Sequence, residues 1–234
     1  FNTIIVDECH RAGSSTYSDV LKHLDVGVRL FFSGTPLDNK SDIKNLTITS
    51  CSGELLGEIQ NEELIKRGVS RKPNVNLHLI KDRKPVNDKV YPDEYDVRIV
   101  NSIERLKKIL SLISENKDKF ILITVDKIEH GTNIFISLRK FYDDIKCAFI
   151  HGESLDRDER LKDFKEGAIN VLISTMILKE GVNIPNIDLL IMAQAGKSVI
   201  TVLQLVGRAL RAKSGYGSVE IHDFYDCGNY VEKH

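Results

Sequence analysis

Apolar and polar positions along this chain follow two alternating patterns. In one, a short unbroken apolar run ends in acidic or small residues: Thr3-Ile4-Ile5-Val6 before Asp7-Glu8, residues 29–32 before Ser33-Gly34-Thr35-Pro36, and residues 120–125, 147–150, 170–174 and 188–193. Runs of this kind predict strands buried on both faces. In the other, apolar positions recur every three or four residues, as in Ile99, Ile103, Leu106, Ile109, Leu110 and Ile113, where Asn101 and Glu104 read as an N-cap and its N3 partner. Further helices are expected near 15–24, over 62–68 with basic residues before Gly68, over 131–143, from Asp156 to Gly167, and over 199–211. Strands at 75–80 and 218–224 complete the pattern. Strand and helix in alternation call for an α/β fold, with right-handed crossovers covering both faces of a mainly parallel sheet.

The alternation is regular only from residue 98 onward. Residues 1–72 read as the back end of one α/β lobe, residues 73–97 with Pro73, Pro85 and Pro92 as a connector, and residues 98–234 as a complete second lobe.

Candidate chemistry lies where the strands end. In an open α/β sheet, ligands bind beyond the carboxyl ends of the strands. Asp7 and Glu8 stand there, suited to holding Mg²⁺ on a nucleotide and to orienting the attacking water, as in a Walker-B arrangement. A plain polar turn explains these ten residues equally well. Gln204, Arg208 and Arg211 are spaced by four and three, so one helix face presents an amide and two planar guanidiniums, an array that suits a polyphosphate. A basic helix face without a ligand competes with this reading. Gly196-Lys197-Ser198 has the tail of a phosphate-binding P-loop, but the first glycine of that pattern falls on Ile191, inside an apolar strand, so the match is a false one.

The 234 residues are 41% hydrophobic, enough for a substantial core, and carry a formal net charge of −1, so nucleic acid would have to be met by local patches. Lys66-Arg67 with Arg71-Lys72 and Arg208-Arg211-Lys213 are candidates, while Arg105-Lys107-Lys108 reads as a solvated face. Four scattered cysteines form no metal-binding pattern with the seven histidines and suit a reducing compartment. No apolar stretch approaches the roughly 20 residues of a membrane span.

The quoted segments, together with Ile121–Val125, Phe149-Ile150-His151-Gly152 and Ser174-Thr175 running to Glu180-Gly181-Val182-Asn183-Ile184-Pro185, resemble in order motifs II to VI of the superfamily 2 helicases, DExH branch. The resemblance covers nearly the whole chain. Ile128-Glu129-His130-Gly131, Gly196-Lys197-Ser198 and Asp223-Phe224-Tyr225-Asp226 with Tyr230 and His234 further resemble the phage UvsW-type helicases and their XPB-like relatives.

That resemblance implies a partial first RecA-like lobe followed by a complete second one, with ATP and Mg²⁺ as cofactors. Asp7 would hold the metal through water, Glu8 would act on the attacking water, and His10 would couple the nucleotide to Gln204. Ser33, Gly34 and Thr35 would link hydrolysis to the nucleic-acid path. Thr124, Gly152, Ser174 and Thr175 would approach a phosphate backbone, which makes binding largely independent of sequence. Gly181, Asn183 and Gly207 would border the nucleotide, with Asn183 standing where the commoner pattern has aspartate, and Arg208 and Arg211 would be arginine fingers.

The implied function is an ATP-dependent helicase or translocase acting on DNA rather than RNA, with forked or branched substrates, in the cytoplasm (the host's, if phage-encoded) and without a membrane partner. Motif I is absent from the sequence, so the chain is expected to be inactive alone and to need an N-terminal segment or companion chain carrying Walker A. A catalytically inactive binding module derived from a helicase is the alternative.

Overall fold

The computed structural model describes residues 1–37, 42–81, 94–175, 187–195, 207 and 217–226. The chain forms two compact units, Phe1–Gln60 and Asn61–His234. In the first, β1 (Thr3–Val6) and β2 (Val28–Phe31) pair in parallel, with Thr3 opposite Val28 and Val6 opposite Phe31. A 3-10 turn (Cys9–Gly13), α1 (Ser15–His23) and α2 (Asp42–Ser52) accompany them. Ile4, Val6 and Phe31 pack on one side against Ala12, Leu21, Ile48 and Cys51. The alternate residues Ile5, Val28, Leu30 and Phe32 remain exposed, Ile5 at 65% and Phe32 at 56%. Strands this apolar ordinarily belong to a sheet covered on both faces.

The second unit contains α3 (Asn61–Lys66), β3 (Lys72–Ile80), a π-helical turn (Asp96–Val100), α4 (Ile103–Glu115) and β4 (Ile121–Val125). It continues through α5 (Ile128–Phe141), β5 (Cys147–Ile150), α6 (Arg157–Glu166), β6 (Val171–Thr175), β7 (Leu189–Met192) and β8 (Ser218–Asp226). Six strands lie in the order β3-β8-β7-β4-β6-β5, all in parallel pairs. Both faces are filled over β4 to β7, while Val75, Leu77 and Leu79 of the edge strand β3 stay exposed. Ile121, Ile123, Ile173 and Ile191 meet Ile109 and Ile113 of α4 and Ile134 and Leu138 of α5. The intervening Leu122, Leu172 and Leu190 meet Leu161 and Phe164 of α6. The α/β class and the parallel sheet are as the apolar runs implied.

The differences from the sequence reading have local causes. A helix over Asp42–Ser52 was not expected, because its apolar positions lack a helical period and it is rich in Thr and Ser; only Ile48 and Cys51 are buried. Those hydroxyls turn back onto carbonyls one turn earlier, Thr47 to Ile43 at 2.9 Å and Ser52 to Ile48 at 2.9 Å. The cap of α4 is Ser102, not Asn101: Ser102 has the extended backbone that a cap needs, and its hydroxyl accepts the Arg105 N–H at 3.3 Å. Gly167 closes α6 in the left-handed conformation, at φ 83°, as expected. The sequence reading placed residues 61–72 with the first lobe and 73–97 in a connector, whereas the structure groups both α3 and β3 with the second unit. There β3 pairs with β8 along its full length, from Lys72 opposite Ser218 to Ile80 opposite Asp226, and Arg71 donates to the Ile187 carbonyl at 2.5 Å. The expected helix at 199–211 lies outside the described residues, except the exposed Gly207.

Residues 61–234 expressed alone are expected to unfold cooperatively. A piece beginning at 98 loses β3 and bares β8, so its midpoint should fall by about 2 °C or more, the shift for roughly 1 kcal/mol or more lost in a domain of this size. Thermal melts of the two pieces by circular dichroism check this. Equal midpoints would show that the β3–β8 ladder contributes nothing.

Candidate functional site

Because β1 and β2 run parallel, their carboxyl ends lie side by side, and the two expected motifs of the first unit meet there. The Phe32 N–H donates to the Val6 carbonyl at 2.9 Å and the Cys9 N–H to the Phe32 carbonyl at 3.0 Å, extending the ladder beyond the strands. Asp7 and Glu8 between them are exposed, and the Glu8 N–H donates to Asp7 Oδ1 at 2.8 Å. Glu8 adopts φ 51°, alone with a positive φ among the described residues other than glycine. Such a backbone costs on the order of 1–3 kcal/mol and is held only where its surroundings enforce it. Here the enforcement comes from the ladder before it and the 3-10 turn behind it, whose Cys9 and Ala12 are buried.

His10 Nδ1 lies 3.1 Å from Ser33 Oγ and 3.3 Å from Glu8 Oε2. A proton on Nδ1 can be shared between Glu8 Oε2 and Ser33 Oγ; without it, Nδ1 accepts from the Ser33 hydroxyl and makes no bond to Glu8. The same Ser33 Oγ accepts the Thr35 N–H at 3.1 Å. With the proton on Nδ1, Glu8, His10, Ser33 and Thr35 form one hydrogen-bonded chain, with Gly34 exposed between the last two. The expected partner Gln204 lies outside the described residues, as do Gly181, Asn183, Arg208 and Arg211. Among the described residues no group of three or more His, Cys, Asp or Glu could hold a metal. One carboxylate beside bound phosphates is the usual protein contribution to a Mg²⁺ site, and Asp7, with one oxygen engaged by Glu8, fits that.

In the second unit the strand order reverses at β4, which lies between β6 and β7. Thr124 is in register with Ser174 and Met192, and Val125 with Thr175, so Thr124, Ser174 and Thr175 gather at one point of the sheet's carboxyl edge. Gly152 follows the neighbouring β5 in an exposed turn. The hydroxyls are not presented to solvent: Thr124 donates to Gln194 Oε1 at 2.7 Å and Ser174 to the Thr175 carbonyl at 2.7 Å, both buried. Of the basic candidates, Lys66, Arg67 and Lys72 are exposed, Arg67 in an ion pair with Glu63, while Arg71 is half-buried and donates to the Ile187 carbonyl.

Arg105 overturns its reading as part of a solvated face. It is fully buried. Its guanidinium donates to the Ala193 carbonyl at 2.8 Å and to Asp226 Oδ2, and stands 4.7 Å from the centre of the Phe224 ring. The signal was available: Arg105 lies four residues before Ile109 and eight before Ile113, in the stripe that α4 turns to the core. Burial pushes the Asp226 carboxyl above the usual range, with Arg105 acting against it; burial likewise raises Asp223. His130 is also buried, and that burial, reinforced by the Arg105 charge, lowers its pKa to about 3.

The folded chain therefore keeps His130 neutral where an unfolded one would take up a proton. The stability this confers is complete above the ordinary value of 6.5 and is lost as pH falls toward 3. Relative to His130→Gln, the parent should lose up to about 1.4 kcal/mol for each pH unit across that window. Urea unfolding of both at several pH values measures it, and parallel curves would contradict the assignment.

Two families match the chain in order. The type III restriction enzyme, res subunit family matches residues 1–38, and the helicase conserved C-terminal domain family matches residues 101–213. The chain is 23% identical over 252 residues to the ATP-dependent DNA helicase uvsW of Enterobacteria phage T4, a match covering 100% of this chain and 47% of the relative. It is 30% identical over 176 residues to the ATP-dependent DNA helicase fml1 of Schizosaccharomyces pombe, over 69% of this chain and 21% of the relative. The solved structure of the DUF1998 helicase MrfA bound to DNA has a TM-score of 0.64 and 18% identity, and covers 99% of this chain and 30% of that one. This last likeness is one of fold. The chain thus spans less than half the length of these curated relatives. With the acidic turn in the part matched by the res subunit family and the parallel sheet in the part matched by the helicase conserved C-terminal domain family, the chain is similar to superfamily 2 helicases of the UvsW type.

Proposed function

We propose that this chain is the back portion of an ATP-dependent DNA helicase or translocase, with hydrolysis driving movement along, or remodelling of, forked or branched DNA. The observation that carries the reading is the hydrogen-bonded chain from Glu8 through His10 to Ser33 and Thr35. It joins an acid suited to act on water to a second loop on the same sheet edge, so a change at the nucleotide can be passed on without rearranging the strands.

In this reading Asp7 holds Mg²⁺ through water and Glu8 orients and deprotonates the attacking water. Mg²⁺, when bound, neutralises charge on the phosphates. Gly181, Asn183 and Gly207 border the nucleotide, while Gln204, Arg208 and Arg211 meet its phosphates. The edge formed by Thr124, Gly152, Ser174 and Thr175 meets the nucleic-acid backbone through peptide N–H groups, the buried hydroxyls serving to shape it. Contacts of that kind give binding that is insensitive to sequence and falls steeply with salt. DNA is favoured over RNA because the relatives described above are named DNA helicases.

A phosphate-cradling loop and its lysine have to come from an N-terminal segment or a companion chain. The exposed apolar face of β1 and β2 at Ile5, Val28, Leu30 and Phe32 is consistent with such a neighbour. Free Cys9, Cys51 and Cys147 accord with a cytoplasmic setting, the host's if the gene is a phage's.

In the complete protein, Glu8→Gln and Arg208→Ala are both expected to abolish hydrolysis, by separable routes. Glu8→Gln should leave ATP bound and trap a state with high affinity for DNA. Arg208→Ala should lower turnover by roughly a thousandfold or more and also lose the ATP-dependent rise in DNA affinity. Turnover and DNA affinity, with and without ATP, distinguish the two. Near-parental turnover by Arg208→Ala would remove the proposed role of that helix.

A further inference from the structure

Two segments that carry the UvsW-type resemblance have no part in the chemistry proposed above: Ile128-Glu129-His130-Gly131 and Asp223-Phe224-Tyr225-Asp226. The structure brings both to Arg105. Asp226 accepts from its guanidinium, Phe224 lies against it at 4.7 Å, and His130 is buried within range of its charge. Gly131, next to His130, is held so close to β5 that an added Cβ would meet the Phe149 ring at 2.4 Å, so α5 and the imidazole it carries are fixed in place. Three buried polar atoms of this group, Arg105 Nε, Asp226 Oδ1 and His130 Nδ1, have no hydrogen-bond partner among the described residues. A buried ion pair with unused polar atoms is a poor way to gain stability, since apolar residues of similar volume commonly do as well or better. Its geometric consequence is more specific.

The guanidinium is a rigid fork that can hold two acceptors in fixed relation. Here the two are the Ala193 carbonyl, just past β7, and the Asp226 carboxylate, at the end of β8. The peptides flanking Ala193 are held from both sides: the Ala193 N–H donates to the Thr124 carbonyl at 2.9 Å and its carbonyl accepts from Arg105. The next residue, Gln194, is fixed by the Thr124 hydroxyl at 2.7 Å, and Ala195 is buried with Tyr95, Ile99 and Val100. Ala193-Gln194-Ala195 is therefore clamped by side chains from α4, β4 and the turn before α4. In sequence it leads directly toward Gln204, Arg208 and Arg211, and Thr124 belongs to the proposed nucleic-acid edge.

We infer that Arg105 is a positioning residue for ATP turnover, acting through Ala193 and Gln194 to fix where the chain leaves β7 relative to the Thr124 edge. This rests on the function proposed above. A misplacement of about 1 Å far from the reacting atoms can cost on the order of a hundredfold in rate, so the clamp affects kcat while leaving nucleotide affinity largely alone.

The test is the apolar exchange Arg105→Met with Asp226→Leu, made together in the complete ATP-hydrolysing protein, with Arg105→Lys and Arg208→Ala alongside. The exchange should keep the thermal midpoint and the ATP-free DNA affinity near parental values, yet lower kcat by roughly ten- to a hundredfold with little change in KM for ATP. Should the exchange fail to fold, Arg105→Lys decides: it keeps a charge for Asp226 but lacks the fork, and should show the same kcat loss at a retained midpoint. Parental kcat in either folded variant, with turnover abolished in Arg208→Ala, overturns the positioning role alone. Parental turnover in Arg208→Ala as well overturns the function on which it rests.

Discussion

Parallel strand pairing is the constraint on which the rest of this structure depends. It sends every strand's carboxyl end to the same edge of its sheet, so loops far apart in sequence become neighbours without any contact of their own to bring them there. In the first unit it sets Asp7-Glu8-Cys9-His10 beside Ser33-Gly34-Thr35, and the 3.1 Å approach of His10 to Ser33 follows from that placement. In the second it sets Thr124 opposite Ser174 at the point where the strand order reverses, the position at which open α/β sheets bind ligands. Parallel sheets also demand cover on both faces. In the six-stranded sheet β4 to β7 have it, from α4 and α5 on one side and α6 on the other, whereas among the described residues β1 and β2 have it on one side only.

Two features depart from what folding alone would select, and both lie close to the proposed chemistry. Glu8 holds a left-handed backbone that glycine would adopt more easily, which turns the acid out of the strand line at the point where a water-activating group would act. Arg105 occupies a core position where leucine would pack without polar atoms to satisfy, and in return links the ends of β7 and β8. Local rules broken at considerable cost where strand ends converge fit a structure shaped by function as well as by stability.

Much of this was legible in the sequence, and the reasons are physical. Runs such as Ile121–Val125 and Val171–Thr175 read as strands because a strand covered on both faces has no polar alternation to confuse the pattern. The acids at the end of β1 were legible because a strand end fixes where side chains emerge. The helix Asp42–Ser52 was not, since its stability comes from Ile48 and Cys51 packing in the tertiary structure and from hydroxyls bonded to its own carbonyls, neither of which leaves a periodic trace. The membership of β3 was hidden for a related reason. Its pairing with β8 is a backbone interaction between residues far apart in sequence, and its side chains, mostly exposed, carry little pattern. Arg105 is hard to place because its charge suggests surface, whereas the apolar stripe in which it lies marks it as buried.

The central proposal is that Asp7 and Glu8 act on water, that Arg208 and Arg211 face phosphate, and that turnover needs a Walker-A segment. Phosphate release from ATP, with and without single-stranded DNA, by the purified 234-residue chain and by the same chain joined to a segment bearing Walker A, tests it most directly. Negligible release is expected from the chain alone and DNA-stimulated release from the joined protein. Robust DNA-stimulated turnover by the chain alone, or none by a well-folded joined protein, would contradict it.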